Sequence, residues 1–117
     1  LIYGAGEHTK RLLEKISDLN LNIIGLIDSD QRKQEEVFYG YKVYSPLEIN
    51  SLKPDVVIIS SLAYEKEIYY ELKRKINPTI DIYPLYHKNE RYSHEVFTEL
   101  YICKFPANIE FIKNNDF

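Results

Sequence analysis

The chain has 117 residues, is 44% hydrophobic, and carries a formal net charge of −3 with a single cysteine. That length fits one domain with one core, in which roughly two thirds of the unfolded chain's surface is buried without a covalent staple. Cys103 alone excludes an intramolecular disulfide and offers no zinc site, the basic clusters Lys10-Arg11, Arg32-Lys33 and Lys73-Arg74-Lys75 are interleaved with acids and argue against nucleic acid, and no apolar run nears the ~20 residues that cross a bilayer.

In chain order, Leu1-Ile2-Tyr3 reads as the end of a buried strand running into a tight turn at Gly4. A helix follows, because Leu12, Leu13, Ile16 and Leu19 recur at spacings of three and four, with Lys10, Arg11, Glu14, Lys15 and Asp18 largely off that stripe. Asn20 ends it. Residues 21–27 are nearly all apolar and suit a strand covered on both faces, closed by Asp28-Ser29-Asp30. Gln31 to Glu36 is polar and predicts an exposed loop or short helical turn, followed by a short strand over Tyr41 to Tyr44. Ser45-Pro46-Leu47-Glu48 is a capping box with proline at the first helical position, opening a brief helix that ends near Ser51. Val56-Val57-Ile58-Ile59 is the strongest strand signal, and Ser60-Ser61 reads as the cap of a helix with the stripe Tyr64, Ile68, Leu72 and Ile76. Asn77-Pro78 ends that helix, and Ile80 to Tyr83 supplies a last strand before Pro84. Further on, Val96, Phe97, Leu100 and Tyr101 predict a helix, although Val96 to Cys103 also has strand character.

This alternation predicts a three-layer, Rossmann-like α/β domain: a parallel sheet of about five strands in the order 3-2-1-4-5, with helices on both faces. Residues 1–85 are read as a nucleotide-binding core and residues 86–117 as a C-terminal helical extension packed on it in the same domain. The absence of methionine, position 1 included, and a first strand that starts abruptly at Leu1 predict residues upstream, hence a larger parent polypeptide. A homo-oligomer is the other partner arrangement expected, in a reducing cytoplasm with no membrane contact.

Gly4-Ala5-Gly6-Glu7-His8-Thr9 follows a strand and opens a helix, the setting in which a glycine-rich turn carries information. The first glycine permits the turn, the second lets backbone approach a diphosphate, and free N–H groups at the helix start meet negative charge. Thr9 stands where a third glycine is usual. It should loosen the packing of helix on strand or shift the bound phosphate, while its hydroxyl offers a further hydrogen bond. A glycine turn without a ligand is the plainer alternative. Asp28 follows Gly6 by about 22 residues at the end of the second strand, where dinucleotide folds hold the carboxylate that accepts from ribose hydroxyls. The alternative is a solvated turn aspartate, of which Asp30 is a second instance. An acid there repels a 2′-phosphate, which favours NAD over NADP unless Arg32 or Lys33 compensates. Ser29 adjoins it. Ser60 and Ser61 border the same switch-point crevice, with helix capping at least as good an account of them. His8 could donate to phosphate or act as acid or base, though without a visible partner an exposed first-turn residue is the simpler reading. Tyr69 and Lys73 have Tyr-x-x-x-Lys spacing, but eleven tyrosines make a chance match unsurprising, and we reject the pair as catalytic. His87 and His94 lack metal-ligand partners at suitable spacing and read as surface residues.

Together, Gly4-Ala-Gly-Glu-His-Thr, Ile23-Ile-Gly-Leu-Ile-Asp-Ser-Asp30 and Gly40-Tyr-Lys-Val-Tyr-Ser-Pro-Leu-Glu48 resemble a bacterial family of small Rossmann-like domains in sugar-nucleotide metabolism. Such domains precede polysaccharide-biosynthesis epimerases and dehydratases, and a related one precedes sugar acyltransferases. The resemblance covers roughly residues 1–83 and implies binding of NAD, NADP or a nucleotide-sugar, with Gly4, Gly6 and Asp28 at the matching positions. Because the chemistry of those enzymes lies in a later domain, a non-catalytic binding domain is expected. An autonomous nucleotide-sensing module is the rival, and an S-adenosylmethionine-dependent methyltransferase ranks third.

Overall fold

The computed structural model of the protein describes residues 1–86. The helix expected around Val96 to Tyr101, along with His87, His94 and Cys103, lies outside the described residues. Six strands, β1 (Ile2–Tyr3), β2 (Leu26–Ile27), β3 (Val37–Phe38), β4 (Tyr41–Tyr44), β5 (Val56–Ile59) and β6 (Asp81–Pro84), form one sheet in the order β3-β4-β2-β1-β5-β6. All neighbours pair in parallel except β3, which is antiparallel to β4. Helix α1 (Glu7–Lys15) links β1 to β2, a 3-10 turn at Pro46–Glu48 runs into α2 (Ile49–Leu52), and α3 (Glu65–Lys75) links β5 to β6. The domain is therefore mixed α/β, with a mostly parallel sheet and three helices.

Side chains alternate across the strands and divide the interior into two layers. Ile2, Leu26, Val43, Ile58 and Tyr83 pack with Leu12 and Ile16 on the α1 side. Tyr3, Ile27, Val57, Ile59 and Ile82 pack on the other side with Ile49 of α2 and with Tyr69 and Leu72 of α3. Helices thus cover both faces, which is why these strands are apolar at successive positions instead of alternating with polar residues.

The observed order differs from the expected five-strand order through the added antiparallel strand. Tyr39 and Gly40 both have positive φ (53° and 87°) and make a two-residue hairpin turn that pairs Val37 with Lys42 and Phe38 with Tyr41. A Tyr-Gly turn lacks the Asn-Gly or Asp-Gly signature, so the sequence offered little warning. The second strand is also shorter than residues 21–27. Its partners β1 and β4 reach only Leu26 and Ile27, and pairing, not apolarity, defines a strand. Likewise α1 stops at Lys15 instead of reaching Asn20: the Ile16 N–H still donates to Leu12 O, but Leu19 then folds back onto Ile16 O in a turn.

The largest correction concerns α3. It begins at Glu65 with Tyr64 as its N-cap, so Ser60 and Ser61 do not cap it. Ser60 is 2% exposed, its hydroxyl turned inward to Tyr3 O and the Thr9 hydroxyl and set four residues before the N-cap. Of the predicted stripe, Leu72 and Ile76 are buried and Ile68 is partly buried against the same core, but its first member is not. Tyr64 is 67% exposed, whereas Glu65 is 1% exposed and accepts the backbone N–H of Tyr86 at 2.8 Å. A carboxylate tolerates that depth only with such donors. The capping box is present as expected: Ser45 N–H donates to Glu48 Oε2 at 2.8 Å, and Leu47 N–H donates to Ser45 Oγ at 3.2 Å.

Candidate functional site

Because β1, β2 and β5 run parallel and adjacent, the turns that leave them emerge at one edge of the sheet. Gly4 follows β1, Asp28 follows β2 and Ser60 follows β5. At Gly4 φ is +124°, and a Cβ there would stand 3.0 Å from Ser60 Oγ and 3.3 Å from Thr9 Oγ1, so both backbone conformation and space demand glycine. Thr9, 1% exposed, donates its hydroxyl to Gly4 O at 2.8 Å and contacts the Ser60 hydroxyl. It therefore ties the start of α1 to the turn and to the end of β5 from within, and its hydroxyl faces the interior.

Gly6 is different. Its φ of −119° is open to any residue, and a Cβ built there meets nothing within 4 Å. Gly6 is also the N-cap of α1, and no side chain caps the helix, so its first amides are left to solvent or a ligand.

Asp28 braces the turn. Its Oδ2 accepts the Ala5 N–H at 3.1 Å and its Oδ1 accepts the Asp30 N–H at 2.9 Å. Lys33 reaches over the same place, with Nζ donating to Ala5 O at 3.2 Å and lying 3.9 Å from Asp28 Oδ2. Gln34 Nε2 donates to Asp28 O at 2.9 Å, so the polar segment after β2 folds back onto the glycine turn. Arg32 turns outward and makes a fork with Asp30, at 3.1 and 3.0 Å, that holds the exposed Asp30 carboxyl below its ordinary value through hydrogen bonding.

These residues border a cleft of about 470 Å³. Gly4, Ala5, Gly6 and His8 line it from the turn, Asp28 and Ser29 from β2, and Ser60 and Ser61 from β5. Of the residues singled out from the sequence, Glu7 is exposed and outside the lining, and Thr9 is buried behind it. The cleft also takes in Tyr3, Lys33, Tyr64, Glu67 and Glu71, which sequence reasoning did not assign to the site. Only Lys33 had a signal, as a cation near Asp28, and nothing in the spacing separated it from Arg32. Tyr3 is 6% exposed; burial first, then the nearby Glu71 carboxylate, push its hydroxyl up to about 12 despite a hydrogen bond with Ser29. It stays protonated under ordinary conditions. A smaller apolar recess of about 130 Å³, lined by Leu47, Asn50, Leu72 and Ile76, continues past Tyr3 and Pro46 between α2 and α3.

Burial pushes the Tyr69 hydroxyl up to about 12, opposite to the lowered value that a Tyr-x-x-x-Lys base requires, and Lys73 is exposed on the last turn of α3. Among the described residues no group of three His, Cys, Asp or Glu could hold a metal ion, and no helix is long and apolar enough to cross a membrane. The cleft offers backbone amides and the Lys33 ammonium to anionic groups, and carboxylates to hydroxyls. Nothing matches the chain among curated proteins or among solved structures. Residues 1–81 match the N-terminal domain of the C2185-like family, and the chain belongs to that family.

Proposed function

We propose that this domain is a Rossmann-like nucleotide-binding module that takes NAD, or alternatively NADP or a nucleotide-sugar, with the diphosphate against the glycine turn and the ribose near Asp28. The observation that carries this reading is Gly6. The fold does not require a glycine there: its φ is ordinary, a methyl group would touch nothing within 4 Å, and an N-cap position takes Ser, Thr, Asp or Asn at least as readily. A ligand that approaches the backbone at the uncapped start of α1 supplies the reason. Asp28 fits a ribose role through the lone pairs left after its two backbone bonds. The Lys33 ammonium at 3.9 Å offsets part of the repulsion a 2′-phosphate would meet, so NADP belongs in the same screen. The reading extends to a cytoplasmic protein of sugar-nucleotide or surface-polysaccharide biosynthesis in which this module binds while another part performs the chemistry.

The test is Gly6→Ala. Its stability should stay within about 1 kcal/mol of wild type, since no strain or clash is introduced. Calorimetric titration with the best ligand from a thermal-shift screen of NAD, NADP, UDP-sugars and S-adenosylmethionine should show at least a tenfold loss of affinity, because the methyl group occupies the ligand's approach. Equal affinities would refute the diphosphate reading. One observation favours a second ligand class. Asp28, Glu67 and Glu71 outnumber Lys33 around the cleft, and an acid-rich lining suits the sulfonium cation of S-adenosylmethionine better than a diphosphate.

A further inference from the structure

His8 is the second residue of α1, partly buried, and borders the cleft. Its Nδ1 has two neighbours: Arg11 Nη2 at 2.9 Å and the Tyr86 hydroxyl at 2.5 Å. A guanidinium has donors and no acceptor, so Nδ1 must offer it a lone pair. An unprotonated Nδ1 has one lone pair, shared here between the Arg11 N–H and the Tyr86 O–H. With a proton on Nδ1 the guanidinium would face a second donor, so Nδ1 carries none and the ring proton sits on Nε2. Tyr86 is itself anchored, its backbone N–H on buried Glu65 at 2.8 Å and its ring edge-on to the imidazole with centroids 5.1 Å apart.

We propose that Arg11 and Tyr86 fix His8 as the Nε2–H tautomer, a hydrogen-bond donor for a phosphoryl oxygen bound at the glycine turn and not a general base. The donor role rests on the nucleotide-binding reading of this cleft; the tautomer does not. With Nδ1 held by its two neighbours, Nε2 is the nitrogen left for a ligand, and the start of α1 beside it attracts the same negative charge. Arg11 and Tyr86 are positioning residues in this account, because they act through the imidazole.

Two measurements on the 117-residue chain test it. Long-range proton–nitrogen correlation spectra of the ligand-free protein should show the Nε2–H form of His8, with Arg11→Ala and Tyr86→Phe each moving the population toward the other tautomer. A wild-type ring dominated by Nδ1–H, or an unbiased mixture, would overturn the proposal. Titrations with NAD and with inorganic pyrophosphate then test the donor. His8→Gln carries an amide N–H at the reach of Nε2 and should stay within about threefold of wild type, while His8→Asn, which reaches only as far as Nδ1, and His8→Ala should lose about tenfold. Equal losses in Gln and Ala, or no loss in any variant, would remove the donor role. Pyrophosphate binding without nucleotide binding would sink the nucleotide reading and leave the donor standing, whereas binding of neither would end both.

Discussion

Replacing Asp28 should unfold the glycine turn before it says anything about a ligand. The carboxylate accepts two backbone N–H groups, from Ala5 at 3.1 Å and Asp30 at 2.9 Å, and its side chain is 18% exposed. Hydrogen bonds to a charged acceptor contribute roughly 1.5 to 3 kcal/mol each, and water recovers part of that at a partly open position, so Asp28→Ala should cost about 3 kcal/mol. Against a total of roughly 5 to 15 kcal/mol for a domain this is a large fraction. In urea, with a slope of roughly 1.5 kcal/mol/M, the unfolding midpoint should fall by about 2 M. Asp28→Asn keeps one acceptor oxygen but sets its amide against the second N–H, and should lose about half as much. Both variants should also bind nucleotide at least tenfold more weakly, in part because the turn they no longer brace is the binding surface. If both changed stability by less than about 0.5 kcal/mol, the brace would be fictitious and any affinity loss would belong to the ligand contact alone.

Two further outcomes follow from the same geometry. Gly4→Ala combines a φ of +124° with a Cβ 3.0 Å from Ser60 Oγ and should destabilise the domain by at least about 2 kcal/mol in the same urea assay, in contrast to Gly6→Ala; indifference at both positions would refute the distinction between them. Tyr3 and Tyr69 both ionise near 12 in the folded protein against an ordinary 10.0, so the unfolded chain loses these protons first, and stability holds below pH 10 and declines as pH rises toward 12. The loss should be about 2 kcal/mol per tyrosine, seen as a falling urea midpoint alongside the tyrosinate absorbance, and smaller by one share in Tyr69→Phe.

How much of this was legible in the sequence depends on how local the information is. The Ser45-to-Glu48 box could be read because donor and acceptor lie within four residues, and Val56–Ile59 because a run buried on both faces looks apolar without any partner in view. The length of β2 and the existence of β3 depend on what lies alongside, a hairpin turn in one case and two short neighbours in the other, and apolarity does not encode that. The stripe expected on α3 holds at Leu72 and Ile76 but not at Tyr64, beside which Glu65 is buried instead. Its burial depends on the Tyr86 backbone, 21 residues away. At the site, the order of Gly4, Asp28 and Ser60 along one sheet edge follows from strand–helix alternation; Tyr64, Glu67 and Glu71 share one helix face at spacings of three and four, but no spacing shows that this face borders the cleft or that Lys33 reaches it from the loop after β2.

The same geometry changes what the glycine motif is evidence for. Gly4, Thr9 and Asp28 look like ligand residues by position, yet each has a full account within the fold: Gly4 makes room for Ser60 and Thr9, Thr9 bonds Gly4, and Asp28 holds the Ala5 amide. A sequence could keep these residues to close a strand–turn–helix unit without ever meeting a nucleotide. Their presence therefore counts less toward binding than the motif suggests. The discriminating residues are those that the fold does not require, Gly6, an N-cap that a side-chain capper would fill at least as well, and His8 with Nε2 left over after Nδ1 is satisfied. Both lie on the first turn of α1 or its cap, both border the cleft, and both suit an anionic group approaching uncapped amides. For this domain the case for a ligand thus rests on two residues, which is why Gly6→Ala and the His8 series decide it and Asp28→Ala alone does not.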